Sequence, residues 1–338
     1  MAADLVALRL RAEVEHGKDA EQVFWQSVRA LATTDLCAYG LYVHGHEAPV
    51  LAKIAFARHV LVWSHLLEQN DHTLFISPPE HAKSCLLRWK IEQWLGQQTE
   101  LAFEKPGHPE PQALLVMNAA DQASKQCMTI AATLESNQRY RELFPHVLPD
   151  KAWGWTKDTL YLQRRVPRPD PSLYASGIKG QYQGLRFGLI VVDDPTNQED
   201  AASESVMNQQ RELHQGTLVD RLTDDPQVKA EIHEIMTRWG PRDIPEMLLR
   251  SNEWRSEVTP CYDYWAKHPE YASLWPKGTP TELWPEVWPK KRLEAKRREK
   301  LLTENSGLWQ LSYLCSTVLA EGQMFKRSWL QYANAPAP

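Results

Sequence analysis

Apolar positions in the first fifth of the chain recur at spacings of three and four. Leu5, Leu8 and Val14, then Val23, Phe24, Val28 and Leu31 form one series, and Ile54 to Leu67 repeats it. With Gly and Pro scarce there, this period predicts amphipathic helices from residue 1 to about 70. From residue 73 the pattern changes to short apolar runs separated by helical stretches: Thr73–Ser77, Ala113–Met117, Leu160–Leu162, Leu185–Val192 and Val228–Met236. Apolar runs alternating with helices predict a mainly parallel sheet covered on both faces. Near residue 250 the pattern changes again. Residues 252–289 hold five Trp and several Pro with no long period, which predicts an irregular appendage packed by aromatic rings. The expected organisation is a helical region at 1–70 packed on an α/β core at 71–250, followed by a small helical or irregular subdomain at 251–338. No internal repeat is present.

Composition narrows the class. The chain has 338 residues, 43% hydrophobic and 24% charged, which is globular and long for a single core. Lys and Arg number 38 against 43 Asp and Glu, a net charge of −5 that argues against a uniformly basic nucleic-acid coat. A local patch is still open: Lys290 to Lys300 carries seven basic residues against Glu294 and Glu299, either a solvated helix face or a contact for a phosphate backbone. The longest apolar runs, such as Phe187 to Val192, fall far short of the roughly 18–20 residues that span a bilayer, and Asp4, Arg9, Arg11 and Glu13 interrupt any export signal. No membrane association is expected. Five scattered cysteines without a CxxC pair read as reduced core thiols of a cytosolic protein.

The chemistry concentrates at three places. The first apolar run ends in Ser77-Pro78-Pro79-Glu80-His81-Ala82-Lys83-Ser84-Cys85, the order strand, tight loop, Lys-Ser, helix. A phosphate-binding loop has this layout because backbone N–H groups and a helix N-terminus face the phosphates. The Lys then reaches the β and γ oxygens, and the hydroxyl ligates Mg²⁺. Ser77 and Ala82 stand where such loops have Gly, which otherwise supplies the unusual dihedrals. The second place is Phe187 to Asp194, an apolar strand ending in Asp193 and Asp194. Adjacent acids suit such a strand only at its carboxyl end, where open parallel sheets place ligands. Asp193 suits Mg²⁺ and Asp194 the orientation of an attacking water. The run Ala113–Met117 fits a strand intervening between the two motifs. Third, Glu231 to Met236 ends in Thr237 and Arg238, a position that can sense the γ-phosphate; the competing reading of Arg238 is a partner for a structural carboxylate.

In this order the segments resemble the large terminase subunit of tailed bacteriophages, the ATP-driven motor that packs DNA into proheads. The loop resembles that family's PP-x-H-G-K-S type. Asn118-Ala119-Ala120-Asp121-Gln122-Ala123 falls where the family has a polar then Gln-Ala segment. Gly177, Gly180 and Gly184-Leu185-Arg186 precede Asp193-Asp194-Pro195 as in its G…G…G-x-R…DDP stretch. Thr237-Arg238-Trp239 with Asp243 and Leu248-Leu249 resembles its T-R-W-x-x-x-D-L coupling segment. Trp284-Pro285-Glu286, Gln310 and Tyr313 resemble the bridge that leads out of the ATPase. The likeness covers roughly residues 35 to 335.

The resemblance implies an α/β P-loop NTPase, RecA-like and of the ASCE class, with a mainly parallel sheet flanked by helices and a small C-terminal linker subdomain. Residues 77–85 would bind ATP through Lys83, with Ser84 and Asp193 on Mg²⁺, Asp194 orienting water, and Thr237 and Arg238 coupling hydrolysis to movement. Arg186 is the candidate for an arginine acting on a neighbouring subunit, with Arg164 and Arg165 as rivals. Glu80 departs from a position that is often Arg in relatives, and Ala82 adds a methyl near phosphate. Implied partners are double-stranded DNA, a homo-oligomeric ring on a portal and the small terminase subunit, in the host cytoplasm and transiently at the prohead. No nuclease activity is expected: Glu294, Glu299, Glu304 and Glu321 are the only acids in the last fifty residues, and the chain stops soon after Phe325-Lys326-Arg327-Ser328-Trp329, where the nuclease sheet of related subunits begins. The alternatives are a helicase-like or other nucleic-acid-stimulated ATPase, and a nucleotide-binding scaffold with little turnover.

Overall fold

A computed structural model describes residues 5–46, 48–165, 168–275, 278–302 and 307–317. Glu304, Glu321 and the Phe325–Trp329 segment lie outside these. The N-terminal period gives α1 (Leu5–His16), α2 (Ala20–Leu31), α3 (Leu36–Gly40), α4 (Pro49–Ala55) and α5 (Arg58–Gln69). The alternating region then runs β1 (His72–Ile76), α6 (Lys83–Glu104), β2 (Ala113–Met117), α7 (Ala120–Ser136), α8 (Gln138–Leu143), β3 (Thr159–Leu160), β4 (Leu173–Gly177) and β5 (Leu189–Asp193). It continues through α9 (Gln198–Ala201), α10 (Glu204–Leu213), β6 (Glu231–Met236), α11 (Ile244–Leu249) and β7 (Arg255–Val258) to α12 (Tyr264–Lys267), α13 (Lys290–Leu301) and α14 (Gly307–Ser312).

The strands form one sheet in the order β3-β4-β2-β5-β6-β1-β7. Every neighbouring pair is parallel except β3 with β4. All residues of β5 and β6 are buried, as expected of strands with a layer on each face. One expectation is corrected here. Ala113–Met117 is a strand, but it lies on the far side of β5, and the strand between β1 and β5 is β6. Apolar runs mark strands, whereas lateral order is set by the crossover connections, which the runs do not encode. The sheet also extends past residue 250, because β7 pairs with β1.

Side chains alternate between two cores. Phe75 of β1 joins Phe24, Tyr39 and Trp63 of the N-terminal helices and Trp89 of α6 on one face. Leu74 and Ile76 join Ile190, Ile232, Ile244 and Leu248 on the other. Trp265, Trp284 and Trp288 belong to the first core, so the tryptophan-rich segment packs on the same interior as the sheet. At the end of β4, Gly177 passes the start of α7 closely: a Cβ there would stand 3.0 Å from the Ala120 nitrogen. Among the described residues no single helix is long and apolar enough to cross a membrane; α4 and α5 reach that length only together, across a 60° bend.

Candidate functional site

The carboxyl ends of β1, β6 and β5 lie side by side, and the predicted polar residues converge there. Lys83 opens α6 and its side chain is buried. The ammonium forms an ion pair with Asp194 Oδ2 at 2.8 Å, donates to the Ser77 carbonyl at 3.3 Å and donates to Thr237 Oγ1. The Thr237 backbone N–H donates to Asp194 Oδ1 at 2.6 Å. Ser77 N–H in turn donates to the Met236 carbonyl at 3.1 Å, so the start of the loop is tied to the end of β6. Lys83, Asp194 and Thr237, far apart in sequence, thus form one cluster at the ends of three adjacent strands, with Lys83 and Thr237 buried and Asp194 half-buried.

The loop takes the backbone shape of a glycine-rich turn without glycine. Glu80 has φ 61° and Ala82 φ 67°, both in the left-handed region. Each costs about 1–2 kcal/mol for a residue with a Cβ. Asp194, at φ 43°, continues the ladder by donating its N–H to the Ile235 carbonyl, then turns the chain into Pro195. Asn118, at the end of β2, donates to the Pro195 carbonyl at 3.0 Å and to Asp200 at 2.6 Å. It therefore braces the turn that follows the acid pair.

Asp193 is buried, and its Oδ1 has no hydrogen-bond partner. Burial pushes its carboxyl up to about 7, the Asp194 charge adds to this, and the Ser84 hydroxyl and Lys83 oppose it. An unpartnered buried carboxylate oxygen beside a hydroxyl, at a helix N-terminus, fits a hard divalent cation that completes its shell with water and phosphate oxygens. Among the described residues no three His, Cys, Asp or Glu side chains converge to hold a metal by themselves.

Other predicted residues stand elsewhere. Arg238 is buried and committed: its Nε donates to Asp243 at 3.0 Å and its NH2 to Glu246 at 2.8 Å. The competing reading, a partner for structural carboxylates, describes its contacts. Asp243 also accepts from the Trp239 and Gly240 N–H groups, so Arg238 and Asp243 together fix the turn between Thr237 and α11. Arg186 donates to the Asp220 carbonyl at 2.8 Å and precedes the amino end of β5, across the sheet from Lys83. Arg164 bonds the Asp170 and Pro111 carbonyls, and Arg165 bonds the Phe103 carbonyl, on that same far side.

The tryptophan-rich segment reaches the loop, which the sequence did not signal. Trp288 stacks on His81, centroids 5.5 Å apart and 11° from parallel, and its Nε1 donates to the Glu80 carbonyl at 3.2 Å. From α13, the Arg292 guanidinium lies 3.8 Å from the Trp288 ring centre and 4.0 Å from Glu80 Oε2. His81 Nδ1 donates to the Pro79 carbonyl at 2.8 Å, and His59 of α5 donates through Nε2 to the His81 carbonyl at 3.2 Å. Burial lowers both imidazoles, His59 to about 3 and His81 to about 4, so both are neutral near pH 7. Pro78, Pro79 and Cys85 complete the loop and the first turn of α6, and Cys85 accepts from Arg88 at 3.7 Å.

Fold and site together define an α/β protein with a cation, paired carboxylates and hydroxyls gathered at the carboxyl edge of a mainly parallel sheet, a place suited to anionic ligands. No family model and no curated protein sequence matches the chain. Among solved structures, the large terminase of bacteriophage HK97 is similar over 77% of this chain and 50% of that one, with 11% identity and a TM-score of 0.44. The chain therefore spans half the length of that protein.

Proposed function

We propose that this chain is a Mg²⁺-dependent ATP hydrolase of the ASCE P-loop class, the motor portion of a phage large terminase that drives double-stranded DNA into a prohead. The observation that carries the proposal is the joining of Lys83, Asp194 and Thr237 across β1, β5 and β6, with β6 inserted between the other two. That insertion gives the class its layout, and the ordered motifs of the sequence supply the terminase reading.

In this reading Lys83 and the N-terminus of α6 hold the β- and γ-phosphates. Ser84 and Asp193 would hold the Mg²⁺, which when bound would supply neutralisation of charge on the transferred phosphoryl group. Phosphate oxygens compete with Asp194 for the Lys83 ammonium, and the released carboxylate accepts a hydrogen bond from the attacking water. Thr237 loses the same ammonium partner. Arg238 acts as a positioning residue that carries this change to α11 through Asp243 and Glu246. Arg186, at the amino end of β5 and away from this chain's Lys83, acts in this reading on the nucleotide of a neighbouring subunit, and a ring on a portal, with the small subunit, belongs to the same reading.

The methyl of Ala82 and the carboxylate of Glu80 favour a second reading, a scaffold that binds nucleotide with little turnover. Steady-state ATP hydrolysis separates the two. The motor reading expects Mg²⁺-dependent turnover that Lys83→Ala abolishes and that Asp194→Asn lowers by about 10²–10⁴-fold with nucleotide binding retained. Wild-type protein that binds ATP without hydrolysing it, even with DNA and proheads present, supports the scaffold.

A further inference from the structure

The cluster at the strand ends leaves the basic helix α13 without a role. Residues 290–300 carry seven basic and two acidic side chains, a local charge of +5 in a chain whose total is −5. The acids are occupied within the helix, Glu294 by Arg297 at 3.8 Å and Glu299 by Lys296 at 3.1 Å. Lys290, Lys291 and Arg298 are exposed and have no ion-pair partner among the described residues. Leu293 alone is buried in this helix and fixes its orientation. At 100° per residue, Lys291 and Arg298 stand two turns apart on the side away from Leu293, about 10.5 Å along the axis, and Lys290, about 60° from Leu293, flanks that face on the side of Glu294 and Arg297. Leu301 and Leu302 are exposed only at the end of the helix, so the outward face lacks the apolar stripe by which a helix lies on a membrane.

The helix is also fixed to the candidate nucleotide site. Arg292 in its first turn rests on Trp288 and approaches Glu80, and Trp288 holds the loop through His81 and the Glu80 carbonyl. A polyanion lying on α13 would be one side chain away from the loop. Duplex DNA presents about one negative charge per 1.7 Å of axis, so unpaired cations about 10 Å apart on one helix each meet a phosphate.

We propose that the exposed basic surface of α13, built on Lys291 and Arg298 with Lys290 at its flank, is a docking surface for the phosphate backbone of duplex DNA. The choice of duplex DNA as occupant rests on the motor reading above. The surface is tested by binding without nucleotide, so its outcome does not depend on hydrolysis, whereas failure of the motor reading appears as absent ATP turnover in the same preparation.

The experiment is fluorescence anisotropy of a short labelled duplex of mixed sequence, titrated with the full chain at salt concentrations from about 50 to 200 mM. Wild-type protein should bind whatever the sequence, with an affinity that falls steeply with salt. The triple variant Lys290→Ala, Lys291→Ala, Arg298→Ala should flatten the log–log salt slope by about 2.7, so that roughly 40-fold less affinity is lost across that range. The charge-preserving variant Lys290→Arg, Lys291→Arg, Arg298→Lys should keep the wild-type slope, which separates charge from folding. Three results overturn the proposal: no DNA binding by the wild type at the lowest salt, equal slopes in wild type and triple alanine variant, or loss in the charge-preserving variant as well. Sedimentation with anionic phospholipid vesicles that depends on these residues while DNA binding does not also overturns it, in favour of a membrane partner.

Discussion

Ala82 occupies a backbone conformation that a methyl group disfavours, and the chain retains it because the neighbouring Lys83 must open α6 pointing at Asp194 and Thr237. Replacing Ala82 by Gly removes the Cβ clash, so Ala82→Gly should raise unfolding stability by about 1 kcal/mol in urea or thermal melts, and Ala82→Val should lower it. The buried histidines give a second effect at this scale. Burial holds His59 at about 3 and His233 at about 4, well below the value of about 6.5 for an exposed imidazole. The unfolded chain therefore binds more protons between these values, and the stability that neutral imidazoles confer is present in full above pH 6.5 and lost as pH falls toward 4. The melting temperature should drop on acidification through that window. His59→Phe, which keeps a ring against Trp63 and Trp284 but cannot titrate, should make the drop shallower while costing about 1 kcal/mol near pH 7 for the lost bond to the His81 carbonyl.

Two elements set the site: β6, which separates the loop from the acid pair, and the Trp284–Arg292 segment, which covers the loop. The first is anchored at its amino end by a buried pair, Lys90 Nζ to Glu231 Oε2 at 2.6 Å, with His233 Nε2 3.0 Å from the same carboxylate oxygen. Lys90→Met leaves that carboxylate only the half-exposed Lys229 as a cation, 3.5 Å from its other oxygen, and should cost about 1–3 kcal/mol in chemical denaturation. The second element predicts that Trp288→Ala destabilises the protein by about 3–5 kcal/mol and weakens binding of a fluorescent ATP analogue, whereas Trp288→Phe, which keeps a ring over His81, recovers most of both. These elements differ in how visible they were in the sequence. The central strands announced themselves because burial on two faces requires unbroken apolar runs, and the acids at 193 and 194 stood out against that background. β7 did not, because an edge strand reading Arg-Ser-Glu-Val with Arg255 exposed lacks that pattern. β4 was hidden by its small residues, Ala175 to Gly177, chosen for close approach to α7 rather than for bulk. The contacts of Trp288 with the loop could not be read at all, since tryptophans without a period carry no information about which distant segment they cover. Arg238 was half legible: Asp243, five residues on, was in view, but only the fold shows that the guanidinium turns toward it.

At the scale of the whole molecule, the Lys83 cluster and Arg186 lie on opposite edges of the sheet, so one chain cannot bring them together. If neighbouring subunits do so, ATP turnover per subunit should rise with protein concentration, and Arg186→Ala should abolish the rise with little change in nucleotide affinity. Constant specific activity over the range in which light scattering detects association would count against that arrangement. The bond from Trp288 to the Glu80 carbonyl spans 208 positions of the chain. During synthesis at about 5–20 residues per second, the loop leaves the ribosome on the order of 10–40 s before the ring that covers it exists. Through that interval the left-handed turn at Glu80 and Ala82 lacks one of its supports, and for most of it β1 also lacks its partners β6 and β7. The loop thus gains its full support only once Trp288 has been made, and a ribosome stalled before that residue carries a chain that should be sensitive to protease at the loop and, on the proposed function, unable to retain ATP.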